Sequence, residues 1–460
     1  MDAVIKALTK ELDASKLLTG EAVKERYHHI WRMDVPLTAK AVVIPTTTEE
    51  LSATLKICHA HDQPVVVHGG LTNLVGSTET NIEEVVISME KFNTIQELDE
   101  KSRTMTVGAG VILENIQQAA KDVGLLFPLN FGAKGSAQIG GAISTNAGGL
   151  RVLRFGMTRQ LVLGLEAVLA DGTVISSLRK IIKDNAAYDV KQLFIGSEGT
   201  LGVITKAVLR LVEAPKSRCS AFIGINDYEN VIKLLKFMDK GLAGTLSGFE
   251  LIWDTTYETM TSPPAQAKPP LPHGYKYYVL VESLGSNQMQ DQKALEGLLE
   301  YALKHEMIAD AAIAYTYSDL EWFWKIREDV HILASQANHD QHFDISLPIP
   351  LIGDFIEETR TKLLAIPDVE KVFSFGHVAD GNIHFIIGKK VQTEELIHQI
   401  NEVIYKPLTA INGSISAEHG IGLHKKNYLH LSRSENEIAL MRSLKVALDP
   451  KGILNRGKVF

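Results

Sequence analysis

Residues 132–151, GAKGSAQIGGAISTNAGGLR, place glycine at 132, 135, 140, 141, 148 and 149. A glycine inside a helix or strand costs about 0.5–1 kcal/mol relative to alanine. Such density therefore argues for backbone that turns sharply or lets another group approach closely. Two further clusters have the same character: HGGLTNLVGS (68–77), after the strand-like PVVV, and GSEGTLGVIT (196–205). One such loop reads as a tight turn. Three in one part of the chain point to a large ligand carrying phosphates, because exposed backbone N–H groups can crowd around an anion. No GxGxxG follows a strand and no Walker sequence occurs, so neither a Rossmann site nor a P-loop is supported.

Around these loops, strand and helix signals alternate. TTEELSATLKICHAH opens with a capping box (Thr47, Glu50) and puts Leu51, Leu55 and Cys58 on one helical face. VILENIQQAAKDVG reads as a second amphipathic helix closed by Gly124, and LEAVLADGTVI as a hairpin about Asp171-Gly172. Near residue 215 the texture changes. SAFIGI, DYENVIKLLKFM, SGFELI, KYYVLVES, QMQDQKALEGLLEYALK and DAAIAY form a β-α-β-β-α-β succession of ferredoxin-like type, interrupted by the proline-rich TSPPAQAKPPLPHG. From Asn401 the chain returns to helices and ends in LDPKGILNRGKVF.

With 460 residues the chain is too long for one core. Its net charge of −8 argues against nucleic acid or an anionic membrane as principal partner. Cys58 and Cys219 are the only cysteines, too few for a disulfide framework, and fit a reducing compartment. The opening MDAVIKALTKELDASK resembles neither a signal nor a transit peptide, and no run of apolar residues is long enough to cross a membrane. These features predict a cytoplasmic enzyme.

FGHVADGNIHF (375–385) has turn chemistry at Asp380-Gly381-Asn382 between strand-like KVFSF and IHFII, which predicts a hairpin bringing His377 and His384 together. SISAEHGIG supplies Glu418 and His419 between a strand-like stretch and Gly420. Two imidazoles and a carboxylate suit Zn²⁺, Mn²⁺ or Fe²⁺ with positions left open for substrate.

GAKGSAQIGG, STNAGGLRVLRFG, KDNAAYDVKQLFIGSEGTLGVIT, the histidine hairpin, SISAEHGIG and DPKGILN together resemble the D-2-hydroxy-acid dehydrogenases, flavoproteins of the vanillyl-alcohol-oxidase-like superfamily. The resemblance runs from about residue 40 to the C-terminus. It implies an α+β fold: a two-subdomain FAD-binding domain (1–214), a ferredoxin-like cap or substrate domain (215–405), and a C-terminal segment (406–460) returning to the FAD domain. It implies that Gly69, Gly70, Thr72 and Gly76 embrace the pyrophosphate, and that Gly140, Gly141, Thr145, Asn146, Gly148 and Gly149 line the adenosine-to-flavin path. Cofactor contacts are further implied for Leu74, Pro128, Gly132, Gly135, Ser136, Glu198, Gly199, Val203, Ile204 and Asn455. Asn73 and Ser77 depart from small residues, often glycine, in the family. Leu71 stands where some superfamily members attach flavin to a histidine, which implies non-covalent FAD.

The resemblance also assigns His377, His384 and Glu418 to a divalent metal, His419 to the base, and Arg327, in the helix-like WFWKIREDVHIL, to the substrate carboxylate. The chemistry fits: oxidising a 2-hydroxy acid removes the hydroxyl proton and a hydride from C2, and a metal with a nearby imidazole eases the proton's departure. His342 and Ile386 replace a Lys and an Asn that grip substrate in the 2-hydroxyglutarate branch, so the substrate is a D-2-hydroxy acid of the D-2-hydroxyglutarate or D-lactate class. The implied acceptor is a quinone or an electron-transferring flavoprotein; a homodimer is compatible. Competing readings are a non-redox flavoenzyme of the same superfamily, a metal-dependent hydrolase, and a flavin subunit inactive without a partner.

Overall fold

The computed structural model describes residues 2–30 and 33–460. The chain forms two compact units, the first built from 1–149, 156–214 and 418–460, the second from 150–155 and 215–417.

Among the described residues the first unit holds two larger sheets and one two-stranded pair. Strands β1 (Leu17–Leu18), β2 (Ala41–Val43), β3 (Val65–His68) and β4 (Val85–Ser88) associate in the order β1-β2-β4-β3, with β4 parallel to both neighbours. Parallel pairing requires a crossover, supplied by the helix Thr48–Ala60. Its N-cap Thr47 accepts from Glu50 N, and its buried side carries Leu51, Leu55 and Cys58. Only half of the expected capping box forms: the Glu50 carboxylate accepts instead from Thr46 N, Thr46 Oγ1 and Lys16. Burial pushes the Cys58 thiol up to about 12, so this cysteine is inert packing.

The second sheet is antiparallel. It contains β5 (Ile95–Asp99), β6 (Thr104–Gly108), β8 (Val162–Val168), β9 (Val174–Ser177) and β10 (Val203–Arg210) in the order β5-β6-β10-β8-β9. Two-residue strands β7 (Leu125–Leu126) and β11 (Val212–Glu213) pair separately. The β8–β9 hairpin turns at Gly172 (φ +83°), and the helix Leu113–Asp122 is followed by Gly124 (φ +74°), both as read from sequence. One continuous apolar cluster runs through both sheets, from Leu51 and Val65 to Phe127, Ile143 and Val208's neighbour Ala207.

The second unit is organised by one antiparallel sheet. Its strands are β12 (Ser217–Ile225), β13 (Leu246–Trp253), β14 (Tyr277–Gly285), β15 (Asp310–Ile313), β16 (His339–Ser346), β17 (Val369–Gly376) and β18 (Asn382–Lys389). Their order is β15-β12-β14-β13-β17-β18-β16. The first four reproduce the ferredoxin-like order read from sequence. The histidine hairpin is β17–β18, and it extends the same sheet because β17 pairs with β13.

Three expectations shift. The helix read over 322–333 is two helices, Tyr317–Glu328 and Val330–Ala334, broken at Asp329 (ψ 57°). The strand expected before Glu418 reduces to one bridge, Ser346 to Ser414. The helix Glu394–Ala410 belongs to the second unit, which therefore runs to Ala417 rather than 405, and it also takes in Leu150–Phe155.

Candidate active site

In the first unit the three glycine loops are bound to one another by backbone groups. A Cβ on Gly70 would lie 2.1 Å from Ser136 O, so only glycine lets the first loop rest on the second. The second loop contains the short helix Ile139–Ser144, which carries Gly140 and Gly141 and ends at Thr145. The third is tied to its end: Gly196 N donates to Ile143 O (3.1 Å) and Glu198 N to Ser144 O (2.8 Å). Asn146 takes a positive φ of 49° and its Oδ1 accepts from Arg159 N at 2.9 Å. Pro128 is buried, whereas Gly132 and Gly135 are exposed. Val203 and Ile204 open β10, with a register shift after Ile204 against β8.

Glu198 is where these loops meet. It is buried in a left-handed conformation (φ 51°), and its carboxylate accepts from Ile421 N (2.7 Å) and Gly422 N (2.9 Å). Its carbonyl accepts from Asn455 Nδ2 (2.6 Å), while Asn455 Oδ1 accepts from Val67 N (3.1 Å). Gly420 (φ +87°) must be glycine, since a Cβ would sit 2.9 Å from the Glu198 carboxyl carbon; Gly199 has φ +71°. Burial raises the Glu198 carboxyl above its ordinary value, opposed by those two amides. Glu198 and Asn455 thus join loops of the protein to one another. In the same unit, a Cβ on Gly148 would come within 2.8 Å of Glu418 Oε1, and Gly149 (φ +142°) would meet Asn130 O at 2.1 Å.

The first loop has its own staples. Leu71 takes φ +56°, and Leu74 is exposed. Asn73 Oδ1 accepts from Ser77 N (3.0 Å) and its Nδ2 donates to Thr78 Oγ1 (2.6 Å). Lys458 Nζ donates to the carbonyls of Ser77 and Glu79 (2.5 and 2.9 Å). His68 Nε2 meets Thr78 O at 2.9 Å; burial lowers its pKa to about 3, so the ring is neutral and donates there.

The second unit gathers charged side chains on one sheet face. Pairing sets Ile252 opposite Phe375, Phe375 opposite His384, and His384 opposite Asp344. Side chains at paired positions share a face, and alternate residues follow. Glu250, Ile252, Phe373, Phe375, His384, Ile386, His342 and Asp344 therefore point the same way. The apolar members belong to an aromatic cluster with Tyr257, Phe323, Trp324 and Leu333 from the overlying helices. Gly376 precedes His377 because a Cβ there would lie 2.3 Å from Asn382 O, and Gly381 (φ +85°) completes the turn. The hairpin brings the rings of His377 and His384 to 5.4 Å between centroids, edge to face.

Glu250 is fully buried, its Oε1 2.6 Å from His377 Nδ1 and its Oε2 accepting from Arg327 Nε at 2.8 Å. Arg327 is itself buried, with its guanidinium 4.7 Å from the Phe375 ring centre. Burial alone would raise the Glu250 carboxyl; its contacts with His377 and Arg327 outweigh it and hold the group below its ordinary value. An ionised carboxylate only accepts, so His377 Nδ1 carries a proton, and in the neutral ring the lone pair lies on Nε2. Across the hairpin, Asp344 is fully buried: Oδ1 accepts from Asn382 Nδ2 (2.9 Å) and lies 3.9 Å from His384 Nδ1, and Oδ2 accepts from Ala417 N (3.1 Å). Glu418 is the next residue in the chain.

Sequence reading named both histidines and Arg327, which the structure brings together around Glu250, but passed over Glu250 and Asp344. The available signal was an acid inside an apolar strand, in GFELIW and FDISLP, since a buried charge must be matched by a partner.

Residues 39–177 match the model of an FAD binding domain, and 214–459 that of the C-terminal domain of FAD linked oxidases. The chain belongs to the FAD-linked oxidase family. A mitochondrial protein of Schizosaccharomyces pombe described as a putative D-lactate dehydrogenase is 40% identical over 419 residues, covering 89% of this chain and 80% of its own. A probable mitochondrial D-2-hydroxyglutarate dehydrogenase of Oryza sativa subsp. indica is 38% identical over 424 residues, 92% and 75% respectively. Among solved structures, an alkyldihydroxyacetonephosphate synthase superposes with a TM-score of 0.78 at 15% identity, covering 99% of this chain and 85% of its own, which shows a shared fold. An FAD-binding domain in this oxidase displaces the hydrolase reading. The cytoplasmic expectation is corrected by these mitochondrial relatives. Cys58 and Cys219 are buried thiols, which packing explains and which single out no compartment.

Proposed function

We propose that this oxidase converts a D-2-hydroxy acid of the D-2-hydroxyglutarate or D-lactate class to the 2-oxo acid, the C2 hydrogen leaving with its electron pair and the hydroxyl losing a proton. The observation that carries this reading is the buried Arg327 held by Glu250 on the sheet face that bears His377 and His384. A guanidinium fork that matches a carboxylate, near two imidazoles suited to a metal, supports this reading. The relatives named above agree.

In this reading FAD is held by the glycine loops without a covalent bond. Leu71 offers no atom to attach it, and the His68 ring is engaged with Thr78 O. FAD, when bound, supplies the two-electron acceptor. A divalent ion would be held by His377, His384 and Glu418. The donor set fits, with imidazole nitrogens and a carboxylate, and the Glu250 contact sets the tautomer that offers His377 Nε2. Such an ion lowers the pKa of a hydroxyl bound to it. The remaining work falls to the chain: Arg327 fixes the C1 carboxylate and His419 accepts the hydroxyl proton. The acceptor in this reading would be a quinone, an electron-transferring flavoprotein or a dye rather than NAD⁺, for which the sequence has no fingerprint.

For a second carboxylate, His342 stands opposite Ile386, with its Nε2 2.6 Å from Asp340 Oδ2. A ring already paired with an acid is a weak anion clamp. The advantage of D-2-hydroxyglutarate over D-lactate should therefore stay below about a thousandfold, some 4 kcal/mol of transition-state binding. The test is anaerobic mixing of the purified protein with D- and L-acids. Bleaching of the flavin by D-acids is expected; no bleaching by any of them would refute the proposal.

A further inference from the structure

The buried carboxylate of Glu250 touches both Arg327 and His377, and the reaction as outlined treats these as two separate contacts. It lies on β13, a central strand otherwise apolar over Phe249–Trp253, and no part of it is exposed. Continuing the β13–β17 register one step beyond Leu251 and Gly376 sets Glu250 opposite His377, and the 2.6 Å contact agrees with it. Its two oxygens divide between partners: Oε1 receives His377 Nδ1–H, and Oε2 receives Arg327 Nε–H at 2.8 Å. Neutralising Arg327 alone would need only one of these contacts.

We propose that Glu250 is a positioning residue that sets a metal ligand and the substrate-carboxylate clamp in one fixed relation. The inference rests on the reading of His377 as a ligand and Arg327 as the clamp. Through Oε1 it fixes the His377 ring and directs Nε2 away from the carboxylate, as carboxylates behind metal-bound histidines do. Through Oε2 it occupies Nε and so turns the terminal amino groups of Arg327 outward, the edge that matches a carboxylate with two parallel bonds. The C1 carboxylate and C2 hydroxyl of a 2-hydroxy acid are adjacent, so a single group linking their two binders defines the spacing the substrate must have.

The test uses the full-length, flavin-loaded protein and its Glu250→Gln and Glu250→Ala variants. Three quantities are measured: flavin content from the visible spectrum, Zn²⁺ and Mn²⁺ affinity by competition with a chelator, and KM and kcat for D-lactate and D-2-hydroxyglutarate. Glu250→Gln is expected to keep its flavin, to lose metal affinity about 10–100-fold, and to raise KM for both acids. A second variant, Glu250→Gln with Arg327→Met, removes the buried charges together and so protects the fold; its metal affinity should fall as in the single variant. Unchanged metal affinity and unchanged KM in flavin-loaded Glu250→Gln would overturn the inference. A wild-type protein that binds neither ion would instead overturn the metal reading, a result separable because it needs no variant.

Discussion

In the first unit the defining contacts join backbone to backbone: Gly70 against Ser136 O, Gly196 and Glu198 N to Ile143 and Ser144 O, Ile421 and Gly422 N to one carboxylate. In the second they join side chains that carry charge, as in Glu250 with Arg327 and His377, and Asp344 with Asn382. A large cofactor with its own reactivity needs shape and N–H groups, which glycine-rich loops provide. A small substrate whose bonds change needs ionisable groups in fixed states, which a sheet face under an aromatic layer provides by excluding water. Mutations in the two units should therefore fail differently, the first losing flavin, the second losing turnover with flavin retained.

His419 is the hardest case for that division, because it is a titratable side chain carried by the loop-built unit. As the proposed base, its replacement by Ala should lower kcat by about 10²–10⁴-fold with the flavin spectrum unchanged. If the variant instead emerged colourless, the ring would belong to the cofactor frame. In the second unit, Arg327→Met leaves Glu250 buried with one cation fewer. Removing one partner of a buried pair costs about 3–5 kcal/mol, so denaturant unfolding should show a loss of that order, and KM should rise. A variant as stable as wild type would mean that His377 alone suffices for Glu250.

The same contrast explains what could be read from the sequence. Glycine clusters, turn chemistry at Asp380-Gly381-Asn382 and the strand–helix order of 215–314 are local signals, and each predicted its element. Two things were not local. β17 extending the ferredoxin-like sheet depends on a pairing with β13 more than a hundred residues away. The partners of Glu250 and Asp344 likewise come from distant strands and a helix, so the apolar strands around these acids signal burial but not what each acid meets. Glu198 was named as a cofactor contact from resemblance; its carboxylate accepts from Ile421 and Gly422, over two hundred residues on, which no local signal announces.

Within the loop unit, paired glycine variants separate close packing from cofactor contact. Gly70→Ala would drive a Cβ to 2.1 Å from Ser136 O, a backbone atom that cannot swing aside. Overpacking of this kind costs about 1–3 kcal/mol, and loss of both stability and flavin is expected. Gly141→Ala has no atom within 4 Å and no positive φ. It should leave the flavin-free protein as stable as before yet weaken FAD binding. Full flavin occupancy in Gly141→Ala, by absorbance after gel filtration, would remove that residue from the cofactor path.

Acid sensitivity should also start in this unit. His68 is buried with a pKa lowered to about 3 from the usual 6.5. As pH falls below 6.5 the unfolded chain takes up a proton that the folded one refuses, so stability is lost between pH 6.5 and 3. At pH 5 the loss from this ring is about 2 kcal/mol, at 1.36 kcal/mol per pH unit. His68→Gln should flatten the decline in unfolding free energy between pH 7 and 5. An equal slope in the variant would place the acid-sensitive groups in the carboxylates of the second unit instead.

The smallest effect tests whether the first loop is purely a backbone structure. Asn73 stands where the resemblance implies a small residue, and it bridges the loop, accepting from Ser77 N and donating to Thr78 Oγ1. If backbone shape alone defined the loop, Asn73→Gly would restore the family pattern at no cost. The contacts argue otherwise. A hydrogen bond contributes about 0.5–1.5 kcal/mol net, and glycine adds freedom to the unfolded loop. Thr78 keeps its donation to His28 O, and Ser77 O keeps Lys458, so the loop does not collapse. The expected result is a loss of about 1 kcal/mol, read as a several-fold weaker FAD affinity in titration of the flavin-free protein, with kcat unchanged once flavin is saturating. Affinity equal to or tighter than wild type would show that Asn73 is a neutral substitution and that the loop needs only its glycines.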